Sequence, residues 1–132
     1  MVGQKYLIDT NVVIDFFIGR LPLKATDWLE ELFEGEFCFS IINKIELLGF
    51  TSTDPNEMQL LEDLVGIAVL LPLSDEVANE TIEMRKQHKI KLPDAIVGAT
   101  AISYNLTLVT RNLKDFSKVL KLNILDPYNM IE

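Results

Sequence analysis

Cysteine and histidine, with which proteins often build reactive and metal sites, are almost absent from this sequence. Its 132 residues include one cysteine, Cys38, and one histidine, His88. A lone cysteine cannot form an internal disulfide, which is typical of a protein in a reducing cytoplasm. One thiol and one imidazole also exclude a zinc site built from cysteine and histidine. Any metal in this protein must therefore be held by oxygen atoms.

Long hydrophobic runs are missing as well. The longest, such as GIAVLLPL at residues 66–73, are too short to cross a bilayer, so no membrane association is expected. The N-terminus lacks the basic region, apolar core and small-residue cleavage site of a signal peptide, which again favours a cytoplasmic protein. The length and a hydrophobic content of 48% predict a single packed domain over residues 1–132.

Basic residues are scarce in the first two thirds of the chain. Residues 1–84 carry 16 acidic and 4 basic side chains, and the whole chain has a net charge of −8. This excess of negative charge argues against binding to nucleic acid. Residues 85–121 differ, because they carry eight basic and two acidic side chains. These bases form either an ordinary solvated surface or a local basic rim that meets phosphates.

Short apolar segments alternate with helical patterns along the sequence. The candidate strands are Tyr6–Ile8, Phe37–Phe39, Ile67–Leu71, Thr107–Val109 and Asn123–Leu125. Helices are predicted between them, with starts at or near Ser40, Asp54, Ser74, Pro93 and Asn112. Apolar strands separated by helices predict an α/β fold in which a mostly parallel sheet is covered on both faces.

Four acidic residues stand out because of where they lie. Asp9 and Asp115 follow two predicted strands, and in a parallel sheet both positions fall near the carboxyl edge, where ligands bind. Asp94 begins a long apolar helix, and Glu46 lies beside an apolar helical stripe formed by Ile41, Ile42, Ile45 and Leu48. Each has an ordinary explanation: a helix cap, a surface turn, a favourable position in the helix dipole or an outward-turned side chain.

Together, however, the four acids predict a metal site. Two carboxylates about 4 Å apart repel each other by roughly 4 kcal/mol at an effective dielectric constant of about 20, so a cluster of them needs a compensating charge. Mg²⁺ and Mn²⁺ prefer carboxylate and water oxygens. Such an ion lowers the pKa of a bound water and neutralises charge on a phosphoryl group, which is the chemistry of a metal-dependent nuclease.

Four motifs resemble those of the PIN domain family, particularly the VapC-type toxins of bacterial and archaeal toxin–antitoxin pairs. In chain order they are LIDTNVVID, SIINKIELLGF, LPDAIVGATA and LVTRNLKDF. The resemblance implies a three-layer α/β/α sandwich around a mostly parallel sheet of about five strands. It also implies an endoribonuclease that depends on Mg²⁺ or Mn²⁺, cuts RNA, forms a homodimer and is held inactive by a small antitoxin.

The resemblance also assigns roles to individual acids. Asp9, Glu46 and Asp94 match the three most regular acids of the family. Many members have a fourth acid where this chain has Asn112, so either Asn112 or Asp115 fills that position, and the resemblance supports a first metal more strongly than a second. The predicted catalytic and metal-binding residues are Asp9, Glu46, Asp94 and Asp115, with Asn112 in a supporting role.

Other positions match in supporting roles. Thr10 and Asn11 occupy the family's polar positions beside the first acid, and Thr110 and Arg111 are candidates for phosphate contact. The segment Thr26–Phe37 either forms part of an antitoxin groove or packs in the core through Trp28, Leu29, Leu32 and Phe33.

Three alternatives to a nuclease differ in how well they fit these residues. A degenerate PIN module would bind RNA or a protein without turnover. The asparagine at the family's fourth acidic position and the acidic net charge favour this alternative. A phospho-acceptor receiver domain fits poorly, because one acid follows the first strand and no aspartate ends the run at Leu70–Leu71. A phosphatase with an Asp-x-Asp nucleophile also fits poorly, since Asn11 replaces the second aspartate.

Overall fold

All the strands lie in one parallel sheet, as the sequence predicts. The computed structural model describes residues 5–130. Its strands are β1 (Tyr6–Ile8), β2 (Cys38–Ser40), β3 (Val69–Leu71), β4 (Thr107–Val109) and β5 (Asn123–Leu125). They are arranged in the order β3-β2-β1-β4-β5, with every neighbouring pair parallel.

The helices fill the connections between the strands. They are α1 (Thr10–Ile18), α2 (Leu23–Glu34), α3 (Ile41–Leu48), α4 (Pro55–Ile67), α5 (Asp75–Gln87), α6 (Leu92–Ser103) and α7 (Leu113–Phe116), followed by a short 3₁₀ helix at Pro127–Asn129. The predicted caps are confirmed, because side chains accept backbone N–H groups at the starts of α3, α4, α5 and α7. Within residues 5–130, no helix has both the length and the hydrophobicity needed to cross a membrane.

Apolar residues pack on both faces of the sheet. Leu7 belongs to a core cluster formed with α5 and α6, whereas the next residue, Ile8, belongs to a second cluster formed with α1, α2 and α4. Leu108 and Val109 of β4 divide between the same two clusters. This alternation follows from the two-residue period of a strand. The three-layer α/β/α sandwich is therefore confirmed.

Two predicted boundaries and one predicted face were wrong. Ile67 ends α4 instead of starting a strand, and Phe37 is buried just before β2. Short apolar runs do not separate a helix end from a strand start by periodicity alone. In α3, Ile45 and Leu48 are 61% and 39% exposed, while the inward positions are Asn43 and Leu47. Of the predicted stripe, Ile42 packs against the core, whereas Ile45 and Leu48 lie toward solvent.

The strand order places the ends of two strands side by side. From β1 the sheet grows through β2 and β3 on one side and through β4 and β5 on the other, so β1 and β4 meet at a topological switch point. The backbone N–H of Asp9 donates to the carbonyl of Val109 over 2.9 Å. Ligands of such sheets bind in the crevice beyond this edge.

Candidate active site

Asp9 stands at the end of β1 and caps α1. Its side chain accepts the backbone N–H of Thr10 and the hydroxyl of Thr110, both over 2.9 Å. Burial raises the pKa of Asp9 from 3.8 to about 6, although these two hydrogen bonds lower it; the carboxylates of Asp94 and Glu46 raise it further. Asp9 therefore has both roles, because it caps α1 and also contributes its carboxylate to the acidic cluster.

Glu46 reaches the site through a chain of hydrogen bonds. The Thr10 hydroxyl donates to Glu46 Oε1 over 2.7 Å and accepts from Asn43 Nδ2 over 3.1 Å. Asn43 is fully buried, and its Oδ1 accepts from both the backbone N–H and the hydroxyl of Ser40. The same Ser40–Asn43 pair forms the capping box of α3. The start of α3 thereby fixes Thr10, which holds the exposed carboxylate of Glu46.

Asp94 enters the cluster from the first turn of α6. Its pKa is raised by partial burial and by the carboxylates of Glu46 and Asp115, and the ammonium of Lys91 lowers it. Asp115 accepts a hydrogen bond from Asn112 Nδ2 over 3.2 Å, so the two candidates for the fourth position touch each other. The carboxylate of Asp94 thus links the four predicted acids, because it acts on Asp9 and is itself acted on by Glu46 and Asp115.

The chemistry of the cluster suits a hard divalent cation. All its carboxylate donors are oxygens. Burial raises the pKa values of Asp9 and Asp94, and the neighbouring carboxylates raise them further because little positive charge compensates them. Within residues 5–130, there is no group of three or more aspartate, glutamate, histidine or cysteine side chains whose present arrangement could hold a metal ion. Joint coordination by Asp9, Glu46 and Asp94 therefore requires some of these side chains to rearrange.

Arg111 has a partner that the sequence did not reveal. Its guanidinium forms an ion pair with Asp15 over 2.9 Å, and the Tyr128 hydroxyl donates to the same carboxylate oxygen. Asp15 is buried in α1, and burial together with this hydrogen bond raises the pKa of Tyr128. The network ties the loop after β4 to α1 and to the C-terminal 3₁₀ helix.

Asn43, for which the sequence predicted no role, makes the supporting contact that was expected of Asn11. The side chain of Asn11 is exposed on α1 and makes no hydrogen bond among the residues that the structure describes. Asn43 is buried and holds Thr10. A sequence signal for Asn43 existed, because an amide three residues after a helix-capping serine occupies the third position of a capping box.

Replacing Asn43 by alanine is expected to destabilise the fold by about 2 kcal/mol, because the Ser40 N–H loses its partner and the start of α3 loses its capping box. Urea unfolding at pH 7.5 measures the change. Asn79→Ala, made at an exposed position of α5, is the matched control and should change stability little. Equal stability of Asn43→Ala and wild type would show that the buried amide does not hold α3.

Comparison with known proteins places this geometry in a family. The sequence model of the PIN domain matches residues 6–122. Ribonuclease VapC2 of Haemophilus influenzae is 32% identical over 126 residues, which cover 89% of this chain and 94% of that protein. Ribonuclease VapC of Rickettsia bellii is 26% identical over 129 residues, covering 90% and 93%.

A solved structure agrees with these relatives. A chain of the toxin–antitoxin complex from Klebsiella pneumoniae is 30% identical, superposes with a TM-score of 0.76, and is matched over 96% of this chain and 100% of its own length. The family match spans most of the sequence, and the carboxyl edge of the sheet carries the acids that the resemblance assigns. The chain belongs to the PIN domain family and, within it, to the group of VapC ribonucleases.

Proposed function

We propose that this protein is an endoribonuclease that hydrolyses RNA phosphodiester bonds with Mg²⁺ or Mn²⁺, and that it is the toxin of a VapBC-type toxin–antitoxin pair. The observation that carries the proposal is the convergence of Asp9, Glu46 and Asp94 at the switch point of the sheet. Beside the effect of burial, the carboxylates of Asp94 and Glu46 raise the pKa of Asp9, and that of Glu46 raises the pKa of Asp94. The match of this chain to the PIN domain family and the name of its relative, a VapC ribonuclease, support the same activity.

Threonine hydroxyls orient two of the three main proposed ligands. Asp9, Glu46 and Asp94 would hold the ion, with Asp115 or Asn112 assisting directly or through water. The ion, when bound, supplies a water of lowered pKa and neutralises charge on the scissile phosphate. Thr110 orients Asp9, and Thr10 orients Glu46.

Arg111 is proposed to contact phosphate at the same edge. Its side chain is 47% exposed, and one of its terminal nitrogens is engaged with Asp15. This ion pair holds the guanidinium beside the loop that carries Thr110, which itself hydrogen-bonds to Asp9. Arg111 thus directly follows the residue that orients Asp9, and its charge is paired with Asp15 instead of with the acids of the site.

Calorimetric titration with Mn²⁺ tests whether the acids bind a metal. We expect one binding event in the wild type and an affinity lower by at least about tenfold in Asp94→Asn, since a ligand is lost. Asp27→Asn, which alters an exposed acid of α2, should bind like the wild type. Circular dichroism of all three proteins checks that the fold is kept. Undetectable Mn²⁺ binding by the wild type would contradict metal dependence.

A second function has two features in its favour. Within the described residues the acids are not arranged in advance as a set of metal ligands, and Asn112 stands where the family resemblance implies an acid. A PIN module that binds RNA or a protein without turnover would have these features. The Mn²⁺ titration separates the two functions, because such a module need not bind the ion at these acids.

An antitoxin is the proposed protein partner, on a groove between α1, α2 and α4. Leu29 is core, as one of the two interpretations of this segment predicted, whereas Phe33 lines an open groove of about 360 Å³. The groove is lined by apolar side chains and by Glu30, Glu34 and Asp63. An apolar floor with an acidic rim suits a segment that carries both apolar and basic side chains.

Three further properties belong to the proposal. We place the protein in the cytoplasm, in keeping with Cys38, which is buried and unpaired. We treat residues 1–132 as a single PIN domain. We also propose a homodimer, for which the exposed apolar side chains of Ile45 and Leu48 offer surface on α3.

A further inference from the structure

A cationic groove lies where α5 turns into α6. The segment 85–91 carries Arg85, Lys86, Lys89 and Lys91, and no acid falls between Glu83 and Asp94. These side chains line an open groove of about 770 Å³ together with Ile82 and Leu92. The chain as a whole has a net charge of −8, whereas this segment is locally positive.

The groove combines available charge with an apolar floor. Lys89 and Lys91 are exposed and have no ion-pair partner within residues 5–130. Ile82 and Leu92 are 52% and 49% exposed, although both are large apolar residues. Exposed cations beside exposed apolar side chains suit a ligand that has both anionic groups and flat apolar surfaces.

The other two cations are only weakly engaged by the protein. Arg85 donates from Nε to the carbonyl of Ile90 over 3.2 Å, which braces the turn, while its terminal nitrogens have no acceptor among the described residues. Lys86 pairs with Glu83 over 3.7 Å, and both side chains are more than half exposed. Such a surface pair contributes little and yields readily to a phosphate.

The groove leads directly to the proposed active site. Lys91 precedes the first turn of α6, and Asp94 lies within that turn. The ammonium of Lys91 acts on the Asp94 carboxylate, so cation and acid are near neighbours in space as well as in sequence. A strand lying in the groove would thus arrive at the acids with its phosphates already held.

We propose that the groove formed by Ile82, Arg85, Lys86, Lys89, Lys91 and Leu92 binds the phosphates of a single-stranded RNA next to the bond that is cut. The inference rests on the proposed function and names how its substrate is held. Residues 1–84 carry 16 acidic and 4 basic side chains, so their surface repels a polyanion and favours a strand that lies along the groove. A single strand fits better than a duplex, because its unstacked bases are free to cover Ile82 and Leu92.

The double variant Lys89→Gln/Lys91→Gln tests the groove without touching the proposed catalytic residues. Binding of a fluorescein-labelled, mixed-sequence 15-nucleotide RNA is followed by fluorescence anisotropy in EDTA, where cleavage is prevented. We expect about tenfold weaker binding at low salt, and a log–log salt slope shallower by about 1.4, from two lost phosphate contacts. The control Arg20→Gln/Lys24→Gln removes the same charge near the far end of α1 and should bind within about twofold of the wild type.

Four results would overturn the proposed role of the groove. One is equal weakening in the groove and control variants, which would mean that only net charge matters. Another is wild-type affinity in the groove variant; if the wild type still cuts RNA and Asp94→Asn does not, the nuclease stands and the groove alone fails. The third is tighter binding of a 15-residue polyglutamate peptide, with the same dependence on Lys89 and Lys91, which would assign the groove to an acidic protein segment. A wild type that neither binds nor cuts RNA rejects the groove and the nuclease together.

Discussion

Replacing Asp94 by asparagine is expected to lower the rate of RNA cleavage by on the order of 10³-fold or more, because a charged oxygen donor is lost where the scissile phosphate must be neutralised. Asparagine keeps the size of the side chain and its place in the first turn of α6. Partial burial and the carboxylates of Glu46 and Asp115 already disfavour the charged form of Asp94. Removing the charge should therefore leave the fold intact.

Cleavage of bulk bacterial RNA with Mg²⁺ or Mn²⁺, followed on a denaturing gel, measures the effect of Asp94→Asn. Induction in a bacterial host supplies a second measurement, since the wild type should arrest growth and the variant should not. Asp27→Asn on α2 controls for the loss of one acid and should cut like the wild type. The assignment fails if Asp9→Asn/Asp94→Asn, purified free of contaminating nuclease, still cuts at the wild-type rate.

The sheet and most helix starts could be predicted from sequence because their signals are local. Apolar runs such as Thr107–Val109 mark buried strands, and Ser40, Asp54 and Ser74 cap the helices that they precede. The end of α4 could not be located, since Ile67 is compatible with either element. The direction that Ile45 faces depends on how α3 lies against its neighbours, and hydrophobicity alone pointed the wrong way.

The site residues could be predicted where they lie at the start or end of a helix or strand. They could not be predicted where their role depends on a contact between residues far apart in the sequence. Asp9 and Asp94 are recognisable because each opens a helix, Asp9 directly after an apolar strand. Asp15 is separated from Arg111 by 96 residues, so their ion pair exists only once α1 packs beside β4. The sequence placed Arg111 at the right edge of the sheet, but it gave no sign of the carboxylate that Arg111 contacts.

Asp9→Asn is expected to stabilise the metal-free protein by about 3 kcal/mol at pH 7.5 and by far less at pH 4. Burial raises the pKa of Asp9 from 3.8 to about 6 in the folded state. Between these values the folded protein keeps a proton that the unfolded chain has released, so stability is lost as pH rises from about 4 to about 6. The loss is about 1.4 kcal/mol per pKa unit and stays constant at higher pH. Asparagine does not titrate and avoids it.

Urea unfolding in EDTA at the two pH values measures this difference. Asparagine still accepts the N–H of Thr10, so the cap of α1 is kept. Asp54→Asn makes the same change at an exposed helix cap and gives the background of the substitution. A stability difference between Asp9→Asn and wild type that is the same at pH 4 and pH 7.5 would contradict the expected cost of the buried charge.

Adding Mn²⁺ should then reverse the order of stability. An ion that binds only the folded state stabilises that state more when it binds more tightly. The wild type has a carboxylate at position 9, and Asp9→Asn lacks it. At pH 7.5 we expect Mn²⁺ to raise the wild-type unfolding midpoint and to move that of Asp9→Asn much less. An equal rise of the unfolding midpoint in both proteins would mean that Mn²⁺ binds at a site that does not include Asp9. A reversal would mean that the charge which destabilises the empty protein is the one that recruits the metal.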